Sequence, residues 1–515
     1  MEWVFAFSFW DFAPQSIYRF PIFSDFLKWN RYKNNAQPVS SNTMKKRELQ
    51  NLGLDTSAFR DVAQQCIKAA TSGGVRGKEI RTVVTAVCHS PQEHLHDQFF
   101  CPLARTLISA ANPEPKSRLP VANIPMHSWI TDNAEPEAFD QLRDACRLPI
   151  AVAGALMPDA HIGYGLPIGG VFAADNAVIP YGVGVDIGCR VKISVTDLPL
   201  VKFGQNLALF TRALENQTRF GMGSRWESRL DHAVLDENWK EIPLLATLKD
   251  TAWGQLGTSG SGNHFVEFGE FTVPEGTTRL VQHGLESGNT YIALVSHSGS
   301  RGTGARIATH YSSLAKSLHP ELPPALKKLS WLDLDSAEGQ EYWYAMNLMG
   351  RYASANHEII HHGVLRAVGA RALASFENHH NFAWRETHFG RSLIVHRKGA
   401  TPAGLGEIGY IPGTMADPGF LVEGTGNENS LRSCSHGAGR ALSRKKALQT
   451  TTRNALNALL KERKVTTLSC GLDESPHAYK DIMAVMSAQA DLVKVLATFT
   501  PRVVKMAPPG EKPED

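Results

Sequence analysis

The sequence lacks three features that would each have indicated a function class. It has no apolar run of about 18 residues, so no transmembrane helix is expected. Its seven cysteines are widely spread and form no CxxC pair, which argues against a secreted disulfide scaffold and for a reducing compartment. It also has no Gly-x4-Gly-Lys-Ser/Thr loop, which makes P-loop chemistry improbable. We therefore expect a cytoplasmic protein that does not act at a membrane.

An excess of charge of one sign is also missing. The 515 residues include 53 basic and 50 acidic side chains, so the net charge is only +3 and does not mark a nucleic-acid binder. Any contact with nucleic acid must therefore use a local patch. With 43% hydrophobic and 20% charged residues, the composition is that of a globular protein that can bury a large core without disulfides.

Three regions of the chain differ in the pattern of their residue types. Residues 1–43 have an apolar start without a basic segment or a cleavage site, and we interpret them as a poorly structured extension or a misassigned start. Residues 44–115 carry apolar side chains at helical spacing, which predicts a small helical N-terminal region. Residues 116–508 alternate glycine-rich turns, β-branched runs and helical segments. This pattern predicts an α+β catalytic domain with mixed sheets and surrounding helices.

Several elements of the catalytic domain are predicted individually. Apolar periodicity predicts helices at 305–317, at 341–377, from about Gly439 to Lys461, and at 478–498. Strands and turns are predicted over 391–424, and a closing strand at 503–505.

One motif points to a different class of enzyme. His357-Glu358-Ile359-Ile360-His361 matches the HExxH pattern of zinc proteases, in which both histidines share one helix face. The other interpretation is an amphipathic helix whose apolar residues pack inward, and we favour it because better-populated clusters lie elsewhere. The zinc protease is kept as the competing hypothesis.

Five polar clusters beside glycine-rich turns suit a metal-assisted phosphate enzyme. They lie at 157–190, 257–267, 296–302, 378–381 and 433–440. Together they offer a thiolate, several carboxylates and four histidine-bearing turns, which suit zinc, cobalt, iron or manganese. Glycines let backbone N–H groups approach phosphate closely, and Arg301 offers bidentate donors. Each cluster alone could be a structural turn, and spacing does not choose the metal.

His436 in the last cluster has the setting of a nucleophile. It precedes a predicted helix by a few residues, and a helix N-terminus favours a neutral imidazole and attracts anions. A nucleophilic histidine at a phosphate site must be neutral. Arg440 and Arg444 make this the most basic stretch near a motif, while Lys445 and Lys446 are interpreted as a solvated helix face.

In their order along the chain, these motifs closely resemble those of the RtcB family of RNA ligases, over roughly residues 120–506. The matching segments are Pro-Asp-x-His-x-Gly at 158–163, Val-Asp-Ile-Gly-Cys at 185–189, Gly-x-Gly-Asn-His at 260–264, His-Ser-Gly-Ser-Arg-Gly at 297–302, His-His-Asn at 379–381, Arg-Lys-Gly-Ala at 397–400, His-Gly-Ala-Gly-Arg at 436–440, Ala-Tyr-Lys at 478–480 and Lys505. The resemblance implies an RtcB-like fold. It also implies a ligase that joins RNA 3′-phosphate or 2′,3′-cyclic phosphate ends to 5′-hydroxyl ends, in tRNA splicing or RNA repair.

The resemblance also implies a role for each matching residue. One or two manganese ions would be bound by Asp186, Cys189, His264, His297 and His380, and His436 would attack GTP and become linked to GMP. The residues implied in GTP binding are Asn263, Glu267, His380, Asn381, Gly413, Thr414, Met415, His436, Gly437, Ala438, Gly439, Arg440, Tyr479 and Lys505. Candidates for RNA or phosphate contacts are Asp159, His161, Ser300, Arg301, Arg397 and Lys398.

Some questions about the substrate stay open at this stage. Arg190 stands where the family commonly has glycine and could alter substrate entry or bind a phosphate, and Thr414 replaces a usual serine. The expected partners are RNA, such as tRNA halves or broken RNA, and an optional activating protein. An alternative with the same site is an end-processing enzyme that guanylylates 3′-phosphates without efficient sealing.

Overall fold

The computed structural model describes residue 44 and residues 46–54, 57–111, 124–130 and 136–513, so the extension predicted at 1–43 lies outside the described residues. The chain divides into two compact units, residues 1–117 and 118–515. Among the described residues, none of the helices combines the length and the hydropathy that crossing a bilayer requires.

The first unit is helical where the structure describes it. It consists of α1 (Lys46–Asn51), α2 (Ser57–Ser72), α3 (Gly77–His89) and α4 (Cys101–Ala111). Ile80, Val84 and Val87 of α3 are fully buried and recur at helical spacing, as an amphipathic helix requires. They share one apolar core with residues of the other three helices.

The second unit mixes helices and strands, which confirms the predicted α+β class. Its helices are α5 (Pro136–Ala145), α6 (Pro180–Val183), α7 (Val201–Gln205), α8 (Leu207–Gln217), α9 (Pro243–Gln255), α10 (Arg301–Leu318), α11 (Ala337–Val368), α12 (Arg444–Thr450), α13 (Arg453–Glu462) and α14 (Ile482–Ala488). Its strands are β1 (Met126–Ser128), β2 (Ala151–His161), β3 (Ile168–Ala174), β4 (Ala177–Val178), β5 (Arg190–Thr196), β6 (Phe265–Thr272), β7 (Thr290–Ser298), β8 (Leu332–Asp333), β9 (Ala372–His379), β10 (Asn381–His388), β11 (Arg391–Lys398), β12 (Ala400–Pro402), β13 (Ile408–Ile411), β14 (Gly419–Gly424), β15 (Ser433–Ser435), β16 (Thr466–Ser469) and β17 (Val493–Met506).

Two large sheets organise this unit. The larger has the order β13–β14–β17–β6–β7–β5–β9, with β16 pairing with β17, and the smaller has the order β1–β2–β3–β11–β10. The pairs within β6–β7–β5–β9 are all antiparallel. One face of the larger sheet packs against α8 and α11, where Phe210, Phe268, Leu294 and Ile360 share a buried core.

Three of the predicted helices have different bounds in the structure. The helix predicted over 341–377 ends at Val368, because Gly369 adopts a left-handed conformation (φ +68°) and its N–H caps the helix, and β9 follows. The helix predicted from Gly439 is two helices, each starting after a capping side chain, Ser443 for α12 and Thr452 for α13. The prediction of a helix over 478–498 is wrong beyond α14, since residues 493–506 form β17.

The remaining element predictions are confirmed. Residues 305–317 lie in α10, residues 391–424 contain β11 to β14 with their turns, and residues 503–505 belong to β17.

Candidate active site

Four polar side chains are brought together by the ends of four neighbouring strands. Cys189 directly precedes β5, His264 directly precedes β6, His297 is the penultimate residue of β7, and His380 directly follows β9. Because these strands are adjacent and antiparallel, the starts of β5 and β6 and the ends of β7 and β9 meet at one end of the sheet.

The possible ligand atoms of these side chains lie close together. Cys189 Sγ is 3.2 Å from His297 Nε2 and 3.4 Å from His264 Nε2. His297 Nε2 is also 3.2 Å from His380 Nε2. Cys189, His264 and His297 are all buried, and their ligand atoms all lie within 4.8 Å of one another. Such a buried thiol and imidazole group could bind a transition-metal ion.

Backbone carbonyl groups orient two of the imidazoles for metal binding. His264 Nδ1 is 2.7 Å from Ser259 O, and His297 Nδ1 is 3.2 Å from Asn263 O. Each Nδ1 must donate to its carbonyl, so each neutral ring keeps a lone pair on Nε2. Burial holds the pKa values of His297 and His380 well below the usual range, which favours neutral rings. Among the described residues, His380 Nδ1 has no hydrogen-bond partner. The donor set therefore fits a metal.

Asp186 adds a carboxylate to this group. Its Oδ2 is 3.2 Å from His264 Nε2, and its Oδ1 accepts a 3.1 Å hydrogen bond from the backbone N of Ser300. A side chain at Gly299 would overlap both carboxylate oxygens, so only glycine fits there. Burial favours the neutral acid, but the adjacent His264 imidazole lowers the pKa of Asp186. An ionised carboxylate is what a cation site requires.

His436 lies beside this group and is held by a buried carboxylate. Its ring centroid is 4.9 Å from that of His380. Its Nδ1 is 2.6 Å from Asp159 Oδ2, which also accepts a 3.1 Å hydrogen bond from the backbone N of His436. Burial opposes ionisation of Asp159, but its contact and hydrogen bond with the His436 imidazole and the charge of Lys480 lower the Asp159 pKa. An Nδ1–H that donates to this carboxylate leaves the lone pair of His436 on Nε2.

The helix expected next to His436 begins only at Arg444. The imidazole is therefore oriented by Asp159 rather than by a helix N-terminus. Gly439 permits this arrangement, because it adopts a φ of +72° and because a Cβ at this position would overlap Asp159 O.

One cavity connects His436 with the candidate metal-binding group. Every residue implied in GTP binding lines this cavity except Lys505. Val504 and Met506, the neighbours of Lys505 on β17, do line it. Because side chains alternate along a strand, the Lys505 ammonium lies elsewhere and donates to Leu214 O, Glu215 O and Thr218 O at the end of α8.

The cavity also contains a carboxylate that no sequence motif indicated. Glu474 is buried, lines the cavity, and bonds to the hydroxyl of Tyr479 and to the guanidinium groups of Arg440 and Arg444. This cluster fixes the positions of two residues implied in GTP binding, Arg440 and Tyr479. Its members come from separate segments, so no local spacing pattern could reveal it.

Comparison with known proteins agrees with this geometry. The family described as tRNA-splicing ligase RtcB matches residues 141–506, which is more than half of the chain. The chain belongs to the RtcB family. The RNA-splicing ligase RtcB of Escherichia coli (strain K12) is 34% identical over 419 residues, covering 74% of this chain and 97% of the relative. The tRNA-splicing ligase RtcB of Methanococcus maripaludis is 29% identical over 458 residues, covering 75% and 94% respectively. The resemblance drawn from the motifs is thus confirmed.

Of the residues expected to contact RNA or phosphate, only His161 lines the cavity. Asp159 is fully buried against His436, and Ser300 is fully buried beside Asp186. Arg301 is 2% exposed, and its Nε donates to Thr258 Oγ1.

Two basic residues in the RtcB-like Arg-Lys-Gly-Ala segment are also engaged inside the protein. Arg397 is 1% exposed, forms an ion pair with Glu386, and donates from Nε to Ser433 Oγ. Lys398 is buried, and burial lowers its pKa to about 7. Its ammonium donates to the carbonyl oxygens of Tyr164 and Tyr181. Direct contact of Arg397 with an RNA backbone is not supported by this position.

Arg190, the departure from the common RtcB glycine, has a structural setting. It is 5% exposed, forms a 2.8 Å ion pair with Glu377, and donates a 2.6 Å hydrogen bond to Gly350 O on α11. Its guanidinium therefore connects two strands of the sheet to the helix, and a phosphate-binding role is not supported by this position.

The HExxH histidines form a buried hydrogen-bond chain instead of a zinc site. His357 Nε2 is 3.1 Å from Ser298 O, so His357 donates there and must accept at Nδ1 from Ser296 Oγ, 2.5 Å away. Ser296 Oγ in turn accepts from His361 Nε2 at 2.8 Å, and His361 Nδ1 accepts from Ser194. Glu358, which in the zinc-protease pattern would be the general base, is half exposed and pairs with His232. The zinc protease hypothesis is therefore not supported.

Asn356, next to His357 on α11, bonds to two loops beside candidate metal ligands, the loop before His264 and the loop after His297. Its Oδ1 accepts a 2.6 Å hydrogen bond from Gly257 N, and its Nδ2 donates a 2.9 Å hydrogen bond to Gly299 O. We expect Asn356→Ala to weaken metal binding about tenfold, because residues that orient metal ligands typically contribute this much. Titration with Co²⁺, followed through the thiolate-to-cobalt absorption band, measures the effect.

Two further variants control this titration. Cys189→Ala should lack the thiolate band. Asn347→Ala should bind Co²⁺ like the wild type, because Asn347 lies on the same helix and its side chain bonds to the helix's own backbone at Trp343 O. Equal Co²⁺ affinity of Asn356→Ala and wild type would show that α11 does not orient the metal-binding loops.

Proposed function

We propose that this chain is a GTP-dependent RNA ligase. It joins RNA 3′-phosphate or 2′,3′-cyclic phosphate ends to 5′-hydroxyl ends, in tRNA splicing or RNA repair. The observation that carries the proposal is the position of His436, with Nδ1 bonded to Asp159, in one cavity with the Cys189, His264 and His297 group. The relatives named above are RNA-splicing and tRNA-splicing ligases, which supports RNA as the substrate.

In the first step, His436 Nε2 attacks the α-phosphorus of GTP. A P–N bond forms, the bond to the bridging oxygen breaks, and pyrophosphate leaves with that electron pair. The imidazole becomes positively charged, and the Asp159 carboxylate stabilises this charge through Nδ1–H. Arg440 and the backbone of 437–439 line the cavity beside His436, where they can bind phosphate oxygens.

Manganese is the metal proposed for this site, as one or two ions held by Asp186, Cys189, His264, His297 and His380. When bound, it supplies positive charge that stabilises phosphate oxygens during in-line displacement. The donor set by itself suits several transition metals, so the choice of manganese rests on the family resemblance.

The remaining steps transfer GMP to RNA and then seal the RNA. A 3′-phosphate oxygen of RNA attacks the histidine-linked phosphorus, the P–N bond breaks, and His436 recovers its lone pair. The RNA 5′-hydroxyl then loses its proton to water and attacks the activated 3′-phosphorus. The phosphoanhydride bond breaks, and GMP leaves with that electron pair. A 2′,3′-cyclic phosphate is first hydrolysed to the 3′-phosphate. Guanylylation is needed because a bare phosphate lacks a good leaving group.

Glu267 is proposed to select guanine. It lines the cavity, and burial raises its pKa well above the usual value. Only the ionised form accepts from both N1–H and N2–H₂ of guanine, so GTP affinity should fall as the pH is lowered through this pKa. Glu267→Gln should weaken GTP binding by about 10- to 100-fold and remove both the preference over ATP and this pH dependence.

Calorimetric titration with GTP and with ATP at several pH values measures this effect. Glu270→Gln is the matched control, because Glu270 lies on the same strand and pairs with Arg502. Unchanged discrimination in Glu267→Gln would assign guanine recognition to another residue.

The proposed function is tested by incubating the purified chain with α-labelled GTP and Mn²⁺, followed by a denaturing gel and acid treatment. We expect an acid-labile label on the protein, and joining of an RNA 3′-phosphate to an RNA 5′-hydroxyl. Label without joining would favour the end-processing alternative. Absence of label, with metal shown to be bound, would contradict ligation by the chain alone and would call for an activating protein.

A further inference from the structure

The loop between β2 and β3 exposes a large aromatic ring next to the cavity. Tyr164 is 62% exposed and Ile162 is 48% exposed, whereas His161 just before them lines the cavity. None of the GTP chemistry proposed above uses these two side chains. His161 and Ile168, on either side of this loop, both line the cavity. An exposed ring on a loop next to a site that must receive RNA is a candidate for contact with that RNA.

The loop is held rigidly by its neighbours. The Gln141 side chain accepts a 3.0 Å hydrogen bond from Gly163 N and donates a 2.7 Å hydrogen bond to Gly163 O. Lys398 donates to Tyr164 O. Gly165 adopts a φ of +81° and packs so closely that a Cβ there would lie 3.0 Å from Lys328 O. The exposure of Tyr164 is therefore a property of a fixed loop.

Lysine ammonium groups adjoin this ring and a second one. Lys328 Nζ is 4.3 Å from the centre of the Tyr164 ring. Lys316 Nζ and Lys398 Nζ are 5.2 Å and 5.6 Å from the centre of the Tyr181 ring. Lys398 also donates to Tyr181 O, so it ties the two tyrosines together. We call Tyr164, Tyr181, Lys316, Lys328 and Lys398 the aromatic–lysine rim.

We propose that the aromatic–lysine rim binds single-stranded RNA next to the reacting end. A nucleobase stacks on Tyr164, and adjoining phosphates lie near Lys316 and Lys328. Aromatic rings with neighbouring cations are how proteins bind single strands without reading sequence. The rim continues into the cavity, since Lys398 is followed by Gly399, which lines it. This inference rests on the proposed function, because an RNA end has to reach His436.

The test measures RNA binding and guanylylation separately in the full chain. The probe is a fluorescent single-stranded oligoribonucleotide with a 3′-phosphate, and its dissociation constant is read from anisotropy. Tyr164→Ala should raise the dissociation constant about tenfold or more, and Tyr164→Phe should bind like the wild type. Lys328→Ala should reduce the slope of log affinity against log salt by about one. Guanylylation by GTP without RNA should be unchanged in all three.

Phe389→Ala is the matched control. Phe389 is 54% exposed, but it lies in the β10–β11 turn, at the far end of the hairpin from Asn381 and Lys398. Equal RNA binding by Tyr164→Ala and wild type would overturn the proposal. A loss of guanylylation in Tyr164→Ala would also overturn it. The same holds if Tyr164→Ala binds RNA normally but no longer responds to an activating protein. Failure of the wild type to become guanylylated would count against the proposed function instead.

Discussion

His436→Ala is expected to show no GMP labelling and no ligation of RNA 3′-phosphate ends. The variant removes the only atom that the proposed mechanism uses to attack GTP, so the expected loss is complete. Co²⁺ binding should be retained, because Cys189, His264 and His297 keep their contacts with one another. The measurement is the gel assay with α-labelled GTP, together with the cobalt titration.

A synthetic RNA that already carries GMP on its 3′-phosphate makes this test sharper. His436→Ala should still seal this RNA to a 5′-hydroxyl end, since the histidine acts only in forming and transferring GMP. His362→Ala is the control for removing a histidine elsewhere, because His362 is exposed on α11. Undiminished labelling of His436→Ala would place the nucleophile at another residue.

Asp159→Asn is expected to slow guanylylation by about 10²- to 10⁴-fold while leaving GTP affinity nearly unchanged. The backbone N–H and the Nδ1–H of His436 both donate to Asp159 Oδ2. An amide oxygen can accept both hydrogen bonds, so the ring keeps its orientation. The amide carries no charge to stabilise the imidazolium that forms during attack. Its NH₂ would occupy the place of Asp159 Oδ1, which has no hydrogen-bond partner among the described residues.

Single-turnover labelling across GTP concentrations separates the two effects, since it yields the rate at saturation and the GTP dissociation constant independently. Asp159→Ala should be slower than Asp159→Asn, because it loses the orientation as well as the charge. Asp175→Asn, a surface carboxylate paired with Arg391, is the control. If Asp159→Asn changed only GTP affinity, Asp159 would act in binding and not on the nucleophile.

Much of the candidate site could be predicted from the sequence because its residues lie in short motifs. Cys189, His264, His297 and His380 each stand within three residues of a glycine or of another histidine in such a motif. Such motifs commonly place reactive side chains at strand ends and in tight turns. The structure brings these four together because their strands are neighbours in one sheet. No single motif predicts that order of strands.

Two of the three helix predictions with wrong bounds, 341–377 and 478–498, share a cause. The apolar residues of 372–377 and 493–498 fit the period of a helix as well as that of a strand. Residues 372–377 become a strand because they pair with β5. Residues 493–498 become a strand because they pair with β14 and β6. The effect of a neighbouring strand is a tertiary interaction and leaves no signature in the local sequence.

By itself, the sequence determined the α+β class, the family and which residues are candidates for metal ligands and for the nucleophile, because motif content is local. Only the tertiary structure decided which groups surround these residues. It placed Asp159 against His436, Asn356 against the loops at Gly257 and Gly299, and Glu474 in the cavity. It also buried Arg397 and Arg190 inside the protein. These partners are distant in sequence, so their contacts follow from the packing of strands and helices rather than from any spacing along the chain.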